Sequence, residues 1–220
     1  RGNALLDHDL LFGKAVSQLP SVLGYVFLMR DDGLKDTFAV PFPSINLRTQ
    51  PANVSFETLN LFPAYRAVLN VSAVAQSTSE GFFNFFPDDT GMVHKVPLFM
   101  LMDGLPYPSL ALEMVRIGEQ QEGVVLHVSQ VDSGQRHGIR GVELGQRMIL
   151  TDNLGQMAVN FRGPVGTFPY VSAVDVVRGE KTDVLRDKYV LLGATAAGLL
   201  DLRATPFSSV FPVVEIQATV

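Results

Sequence analysis

The chain has 220 residues, of which 47% are hydrophobic and 18% are charged, with a formal net charge of −5 and no cysteine. This composition allows a sizeable core and argues against disorder, while the acidic balance argues against nucleic-acid binding through phosphate contacts. The lack of cysteine excludes disulfides, thiolate nucleophiles and cysteine metal ligands. No apolar run reaches the roughly 20 residues that span a bilayer.

The first elements of the chain are predicted to be a helix and a strand. Apolar residues recur near helical spacing between Asp7 and Leu19, Asp7 is a suitable N-cap, and Pro20 ends the helix. Ser21–Leu28 is then predicted to be a buried strand. A helix followed by a strand is typical of the second half of a βαβ unit, so we expect the N-terminal strand–helix unit to be truncated in this chain.

The middle of the chain is predicted to be richer in loops. Residues 30–60 contain three prolines and show a weak pattern, which indicates a long loop. Residues 71–78 predict a short helix. Two apolar strands over residues 82–86 and 92–100, joined by the turn sequence PDDTG, predict a hairpin with Pro97 at an edge or a bulge.

The strongest helical pattern is Pro108–Glu119, and its apolar face is formed by Leu110, Ala111, Met114, Val115 and Gly118. Short strands are predicted at residues 124–128, 141–144, 148–151, 157–161 and 188–193. Helices are predicted at residues 172–177 and from Val213 onward. This alternation predicts an α/β fold with a single mixed β-sheet covered by helices, in one domain over residues 1–220.

Sequence motifs of catalysis and of metal binding are weak or missing. Asp89-Thr90-Gly91 spells the aspartic-protease triplet, but that site needs two such loops, and a hairpin turn is the favoured interpretation. The four histidines are scattered, so we predict no metal site. The sequence has no G-x-S-x-G, phosphate loop or G-x-G-x-x-G, so we predict no enzymatic activity and no cofactor.

Two loops carry the candidate binding residues. In the first, Arg162 precedes a turn-rich stretch, where an arginine can bind a carboxylate or phosphate through two hydrogen bonds. A structural salt bridge to Asp201 or Asp175 is the alternative for Arg162. The second loop follows the predicted strand over residues 188–193, and its polar residues serve either as ligand contacts or as a bracing charge network. The candidate ligand-binding residues are Asn160, Arg162, Tyr170, Asp201, Arg203 and Thr205.

Four blocks of this sequence occur in the same order in one known family. They are GFFNFFPDDTGMVHKVPLFM, YPSLALEMVR, VNFRGPVGTFPYVSAVDVVRGE and LRDKYVLLGATAAGLLDLRATPFSSVFPVVEIQATV. The chain from Asp7 to Val220 thereby resembles the second class of CHASE domains, the cyclase- and histidine-kinase-associated sensory extracellular domains.

The resemblance implies a periplasmic sensor domain of a bacterial receptor in the cell inner membrane, attached through flanking membrane segments. It implies a cytoplasmic output such as an adenylate cyclase, a diguanylate cyclase, a histidine kinase or a serine/threonine kinase. We expect a homodimer that responds to a small ligand or a protein partner of unknown identity, without nucleic acid. In the family, the helix that begins near Glu215 leads toward the membrane.

This chain departs from the family at two places. Family members usually begin with a further strand–helix–strand segment that contains a tryptophan, and this chain has no tryptophan. His94 and Lys95 stand where the family often has an arginine. A structural or dimerisation module without a small-molecule ligand is the alternative to the sensor.

Overall fold

The computed structural model describes residues 7–34, 45–75, 78–131, 135–195 and 202–220. The helices are α1 (His8–Val16), α2 (Ser72–Ala75), α3 (Leu110–Gly118), α4 (Ala173–Val177) and α5 (Val213–Thr219). The strands are β1 (Val22–Leu28), β2 (Asn46–Gln50), β3 (Phe62–Pro63), β4 (Arg66–Val68), β5 (Ser79–Phe82), β6 (Lys95–Pro97), β7 (Phe99–Met102), β8 (Leu105–Pro108), β9 (Gly123–Gln130), β10 (His137–Leu144), β11 (Arg147–Leu150), β12 (Gln156–Ala158), β13 (Leu202–Thr205) and β14 (Ser208–Pro212).

The predicted mixed α/β fold is confirmed, although the described strands are divided among five small sheets where we expected one. The sheets have the strand orders β4-β1-β5, β11-β10-β9-β2, β3-β7-β8, β12-β6 and β13-β14. The chain forms two compact units, Arg1–Asn84 with Pro97–Met157 and Phe85–Val96 with Ala158–Val220. Below, we call them the first and the second unit.

Helix α1 and strand β1 are confirmed in the first unit. The Asp7 side chain caps α1 by accepting hydrogen bonds from the backbone N–H groups of Asp9 and Leu10. β1 pairs in parallel with β5 and antiparallel with β4. A cluster of buried aromatic rings lies at the centre of this unit and consists of Tyr25, Phe27, Phe82 and Tyr107.

The predicted hairpin over residues 82–100 is wrong, because its two strands pair with other strands and not with each other. β5 lies beside β1, and β6 lies beside β12. The turn between them nevertheless forms, with the Gly91 N–H donating to the Asp88 carbonyl oxygen at 2.8 Å. The long loop predicted over residues 30–60 is interrupted by β2, which pairs in parallel with β9. Turn residues predict where the chain reverses, but long-range pairing decides which strands meet.

Helix α3 is confirmed, but its buried face differs from the predicted apolar stripe. The Ser109 hydroxyl caps the helix by accepting from the Leu112 N–H at 3.3 Å. The buried residues are Ala111, Leu112, Glu113 and Arg116. Glu113 and Arg116 form a two-point ion pair, with Nε to Oε2 at 2.7 Å and Nη2 to Oε1 at 2.6 Å. The helix therefore buries a charge pair that apolar periodicity does not reveal.

The strand predicted over residues 188–193 is wrong. The structure assigns no strand there, and the side chains of Val190 and Leu192 are 52% and 89% exposed. A strand is stable only beside a partner that satisfies its backbone hydrogen bonds, and no strand of the described residues pairs with this segment. The helices predicted at residues 172–177 and from Val213 are confirmed as α4 and α5.

Candidate functional site

The second unit brings the C-terminal helix next to a hairpin and a turn-rich loop. β13 and β14 pair antiparallel, and the chain passes directly from β14 into α5. Phe211 at the end of β14 is 1% exposed, and its ring lies 5.5 Å from the Phe161 ring in an edge-to-face arrangement. This contact holds the start of the loop over residues 161–170, here called the nest loop, against the hairpin.

A tight turn shapes the nest loop. The Pro164 carbonyl oxygen accepts from the Thr167 N–H at 3.2 Å and from the Thr167 hydroxyl at 2.6 Å. Gly166 has φ +87, a left-handed conformation that side-chain-bearing residues rarely adopt. Glycine at this third position is what a type II turn requires. The turn leaves the Gly166 N–H free to bond outside the loop.

The nest loop binds the carboxylate of Glu215, which is the central group of the site. Glu215 lies in the first turn of α5 and is only 2% exposed. Its oxygens accept from the Gly166 N–H at 3.0 and 3.1 Å and from the Phe168 N–H at 3.4 Å. The Tyr170 hydroxyl donates to Oε2 at 2.8 Å. Three neutral donors from one loop therefore converge on one helix carboxylate.

Tyr170 is held as a donor by its surroundings. Burial of the hydroxyl raises the pKa of Tyr170 to about 12, and the hydrogen bond to Glu215 and the charge of that carboxylate act in the same direction. The phenol therefore stays protonated at every physiological pH. Half of the side chain remains exposed, so Tyr170 also faces solvent.

An open cleft of about 530 Å³ lies beside the same loop. Gly166 and Tyr170 line it, so two of the three donors to Glu215 border the cleft. Its remaining lining is mostly apolar and consists of Val165, Thr195, Leu202, Val210 and Pro212. The volume of this cleft lies within the range found for small-molecule sites.

The structure places the predicted site residues in different surroundings. Tyr170 lines the cleft, whereas Asn160 and Arg162 are exposed and form no hydrogen bond or ion pair with any described residue. Asp201 lies outside the described residues. The alternative partner of Arg162, Asp175, instead forms an ion pair with Lys181 at 3.0 Å.

Thr205 and Arg203 belong to the β13–β14 hairpin. Thr205 is 3% exposed, and its hydroxyl accepts from the backbone N–H groups of Phe207 and Ser208 at 3.4 and 3.3 Å. The Thr205 side chain therefore closes the hairpin turn, which agrees with the bracing interpretation of this residue. Arg203 is exposed and donates from Nη1 to the Leu202 carbonyl oxygen at 2.8 Å. That all six residues form one ligand site stays a prediction.

Sequence reasoning missed Glu215 as a site residue. The only signal is a single acidic residue in the otherwise uncharged segment FPVVEIQATV, on a helix whose Val213 and Ile216 are buried. A lone carboxylate on a buried helix face needs donors from elsewhere in the fold. Two of its three donors are backbone N–H groups, which every sequence position except proline offers, so the sequence does not identify them.

The Asp89-Thr90-Gly91 triplet forms a turn, as expected. The carboxylate that accepts the hydrogen bonds of this turn is that of Asp88, with the Thr90 hydroxyl at 2.5 Å and the Thr90 N–H at 2.8 Å. His94 Nδ1 lies 2.7 Å from Asp88 Oδ2. The hydrogen bond from the Thr90 hydroxyl contributes most to lowering the pKa of Asp88 to about 2, and the Thr90 N–H and His94 add to it.

Acidification is expected to weaken this turn in the wild type but not in Asp88→Asn. A carboxyl whose pKa is lower in the folded than in the unfolded chain stabilises the fold above its unfolded pKa of 3.8. That contribution is lost as the pH falls through about 2. Urea midpoints of both proteins between about pH 5 and pH 2 measure the difference. Asp89→Asn is the matched control and should keep the wild-type pH dependence; identical curves for Asp88→Asn and wild type would contradict the assignment.

Among the described residues, no group of three or more histidine, aspartate or glutamate side chains lies in a position to hold a metal ion. Within the same part of the chain, no helix has the length and apolar character needed to cross a membrane.

The comparisons with known proteins identify the family. The CHASE2 domain family matches residues 7–220, a range that includes the nest loop, the hairpin and α5. No curated protein and no solved structure matches the chain significantly. The match covers the same range as the resemblance seen in the sequence blocks. The chain therefore belongs to the CHASE2 family, whose members are sensory extracellular domains of signalling receptors.

Proposed function

We propose that this chain is the periplasmic sensor domain of a bacterial inner-membrane receptor. In this proposal, binding of a small ligand or a protein partner biases a receptor homodimer, and α5 transmits the bias to a cytoplasmic cyclase or kinase. The domain itself catalyses no reaction. Membership of the CHASE2 family supports the sensory role and the extracytoplasmic location.

The observation that carries the proposal is the bonding of the nest loop to the Glu215 carboxylate. The donors Gly166 and Tyr170 line the cleft, and the acceptor belongs to α5. A ligand in the cleft that changes the position of either donor changes the bonds of α5. Coupling requires that the ligand bind one arrangement of these bonds more tightly than another, which shifts the population between them.

A structural or dimerisation module is the second candidate function. Helix α1 favours it, because Leu10, Leu11 and Phe12 are 50%, 46% and 56% exposed, and the only residue of α1 that is buried is Gly13. In this case the Thr205 and Glu215 contacts brace the second unit, and the domain acts through protein contacts without a small ligand.

A paired experiment tests the sensor proposal. The 220-residue chain is screened by thermal shift against a broad set of metabolites, and a ligand at 100 times its dissociation constant should add about 2.7 kcal/mol of stability. The full-length receptor carrying Glu215→Gln is then assayed for its cyclase or kinase product with and without the hit, beside the surface control Glu180→Gln. We expect Glu215→Gln to change the response of the receptor to the ligand and Glu180→Gln to leave it unchanged.

Two outcomes would refute the proposal. One is a complete screen with no shift, together with an unchanged output of the Glu215→Gln receptor. The other is a compound that binds the domain while both receptor variants respond as the wild type does, since the Glu215 contact would then not transmit the signal.

A further inference from the structure

The donors that hold Glu215 form a site for a carboxylate rather than for a particular side chain. Two backbone N–H groups and one phenol hydroxyl converge on its two oxygens. Backbone N–H groups grouped at a turn are a recurrent way of binding anions. Any carboxylate that reached this position would find the same donors as Glu215.

The cleft gives a free ligand a route to these donors. Gly166 and Tyr170 contribute to its lining, while Val165, Leu202, Val210 and Pro212 supply apolar walls. A molecule with a carboxylate at one end and an apolar body would place the former on the donors and the latter against these walls.

The positive charge of Arg162 in the nest loop also favours the binding of an organic acid. Arg162 precedes Gly166 by four residues in the chain and is exposed. An exposed guanidinium attracts anions and is the side chain best suited to a carboxylate.

We propose that the nest loop binds the carboxylate of a small organic acid with an apolar body, in competition with the Glu215 carboxylate. This inference rests on the proposed sensory function, since it names the ligand class of the same site. Two carboxylates cannot share one set of donors without strong repulsion, so the ligand binds only when Glu215 leaves. Glu215 is the internal ligand of the empty state, and its release frees α5 from the loop.

Competition between the acid and Glu215 predicts that the loss of the Glu215 carboxylate improves the affinity for the acid. The apparent dissociation constant of the acid equals its intrinsic value divided by the fraction of molecules in which the site is free of Glu215. Removing the Glu215 carboxylate is therefore expected to tighten the binding of the acid. Removing a residue that only supports the fold would weaken that binding. A cationic ligand that pairs with Glu215 would show the opposite response.

The test is a titration of the 220-residue chain with hexanoate, followed by the backbone amide resonances of Gly166 and Phe168. Hexanamide is the uncharged control, and hexylamine is the cationic one. We expect saturable shifts with hexanoate alone. Glu215→Gln, which keeps the side-chain size, should bind hexanoate roughly tenfold more tightly. Adding Tyr170→Phe to Glu215→Gln should then weaken hexanoate binding roughly tenfold, because a donor to the charged ligand is lost. Tyr170→Phe alone should change the apparent affinity little, because it removes the same donor from the competing Glu215 carboxylate.

Several results would overturn the inference. They are the absence of saturable shifts in both wild type and Glu215→Gln, equal binding of hexanoate and hexanamide, or weaker hexanoate binding by Glu215→Gln. Loss of hexylamine binding in that variant would instead assign a cation to the site. If Glu215→Gln does not fold, the wild-type titrations decide the question, because saturable shifts with hexanoate and none with hexanamide or hexylamine support a carboxylate site and any other pattern contradicts it.

The failure of this inference differs from a failure of the proposed function. If another compound class or a protein partner changes the receptor output through Glu215, the sensory function stands and only the acid is excluded. If hexanoate binds as expected but the receptor output never responds, the site is real and the sensory proposal fails.

Discussion

Replacing Glu215 by alanine is expected to lower the free energy of unfolding of this domain by about 3 kcal/mol, because hydrogen bonds to a charged group contribute roughly 1.5–3 kcal/mol each and are not additive. The substitution leaves the Gly166 and Phe168 N–H groups and the Tyr170 hydroxyl without their acceptor. Urea unfolding followed by circular dichroism measures the loss.

Two controls show whether this loss arises from the nest loop. Glu180→Ala removes an exposed carboxylate of the same unit and is expected to change stability by no more than about 0.5 kcal/mol. Tyr170→Phe removes one of the donors and should cost about 1–2 kcal/mol. If Glu215→Ala were as stable as Glu180→Ala, the loop would not depend on the carboxylate, and the link between loop and helix would be wrong.

Replacing Arg116 by alanine is expected to cost about 3–5 kcal/mol, because it leaves a buried carboxylate without its counter-charge. Glu113 is fully buried at 0% exposure, and Arg116 is 6% exposed. The guanidinium also donates from Nη1 to the Gln121 carbonyl oxygen at 2.7 Å, which ties the end of α3 to the next segment. The free energy of unfolding in urea measures the effect.

The double variant Glu113→Leu/Arg116→Met separates the charge from the packing. Replacing both members of a buried ion pair by apolar residues of similar size is often neutral, so the double variant should recover most of the stability lost in Arg116→Ala. Coupling between the two positions follows from a double-mutant cycle completed by the single variants Glu113→Leu and Arg116→Met. A loss below about 1 kcal/mol for Arg116→Ala would show that Glu113 does not need its partner.

Local signals in the sequence predicted the helices well. Asp7 caps α1 and α5 begins at Val213, as expected, while α3 begins at Leu110, two residues after its predicted start, with Ser109 as its cap. Capping depends on groups within one turn of the chain, so a short window of sequence contains the cause. The apolar runs at residues 124–128 and 141–144 likewise lie in strands β9 and β10.

Strand partners were predicted less well, because they depend on distant parts of the chain. The segment over residues 188–193 has the composition of a buried strand, yet its Leu192 side chain is 89% exposed and no described strand lies beside it. The apolar run over residues 92–100 divides into β6 and β7, which belong to different sheets. A strand's hydrogen-bonding partner is not part of its own sequence.

The sequence by itself determined the class of this protein, the approximate positions of its helices and its family resemblance. These properties depend on composition, short-range contacts and residue order. Only the tertiary structure decided that Glu215 is the acceptor for the nest loop and that the Glu113–Arg116 pair, whose members lie within one turn of α3, is buried inside the first unit. Long-range folding brings the nest-loop donors to Glu215, and burial strengthens these contacts and the Glu113–Arg116 pair alike, because the local dielectric constant is low.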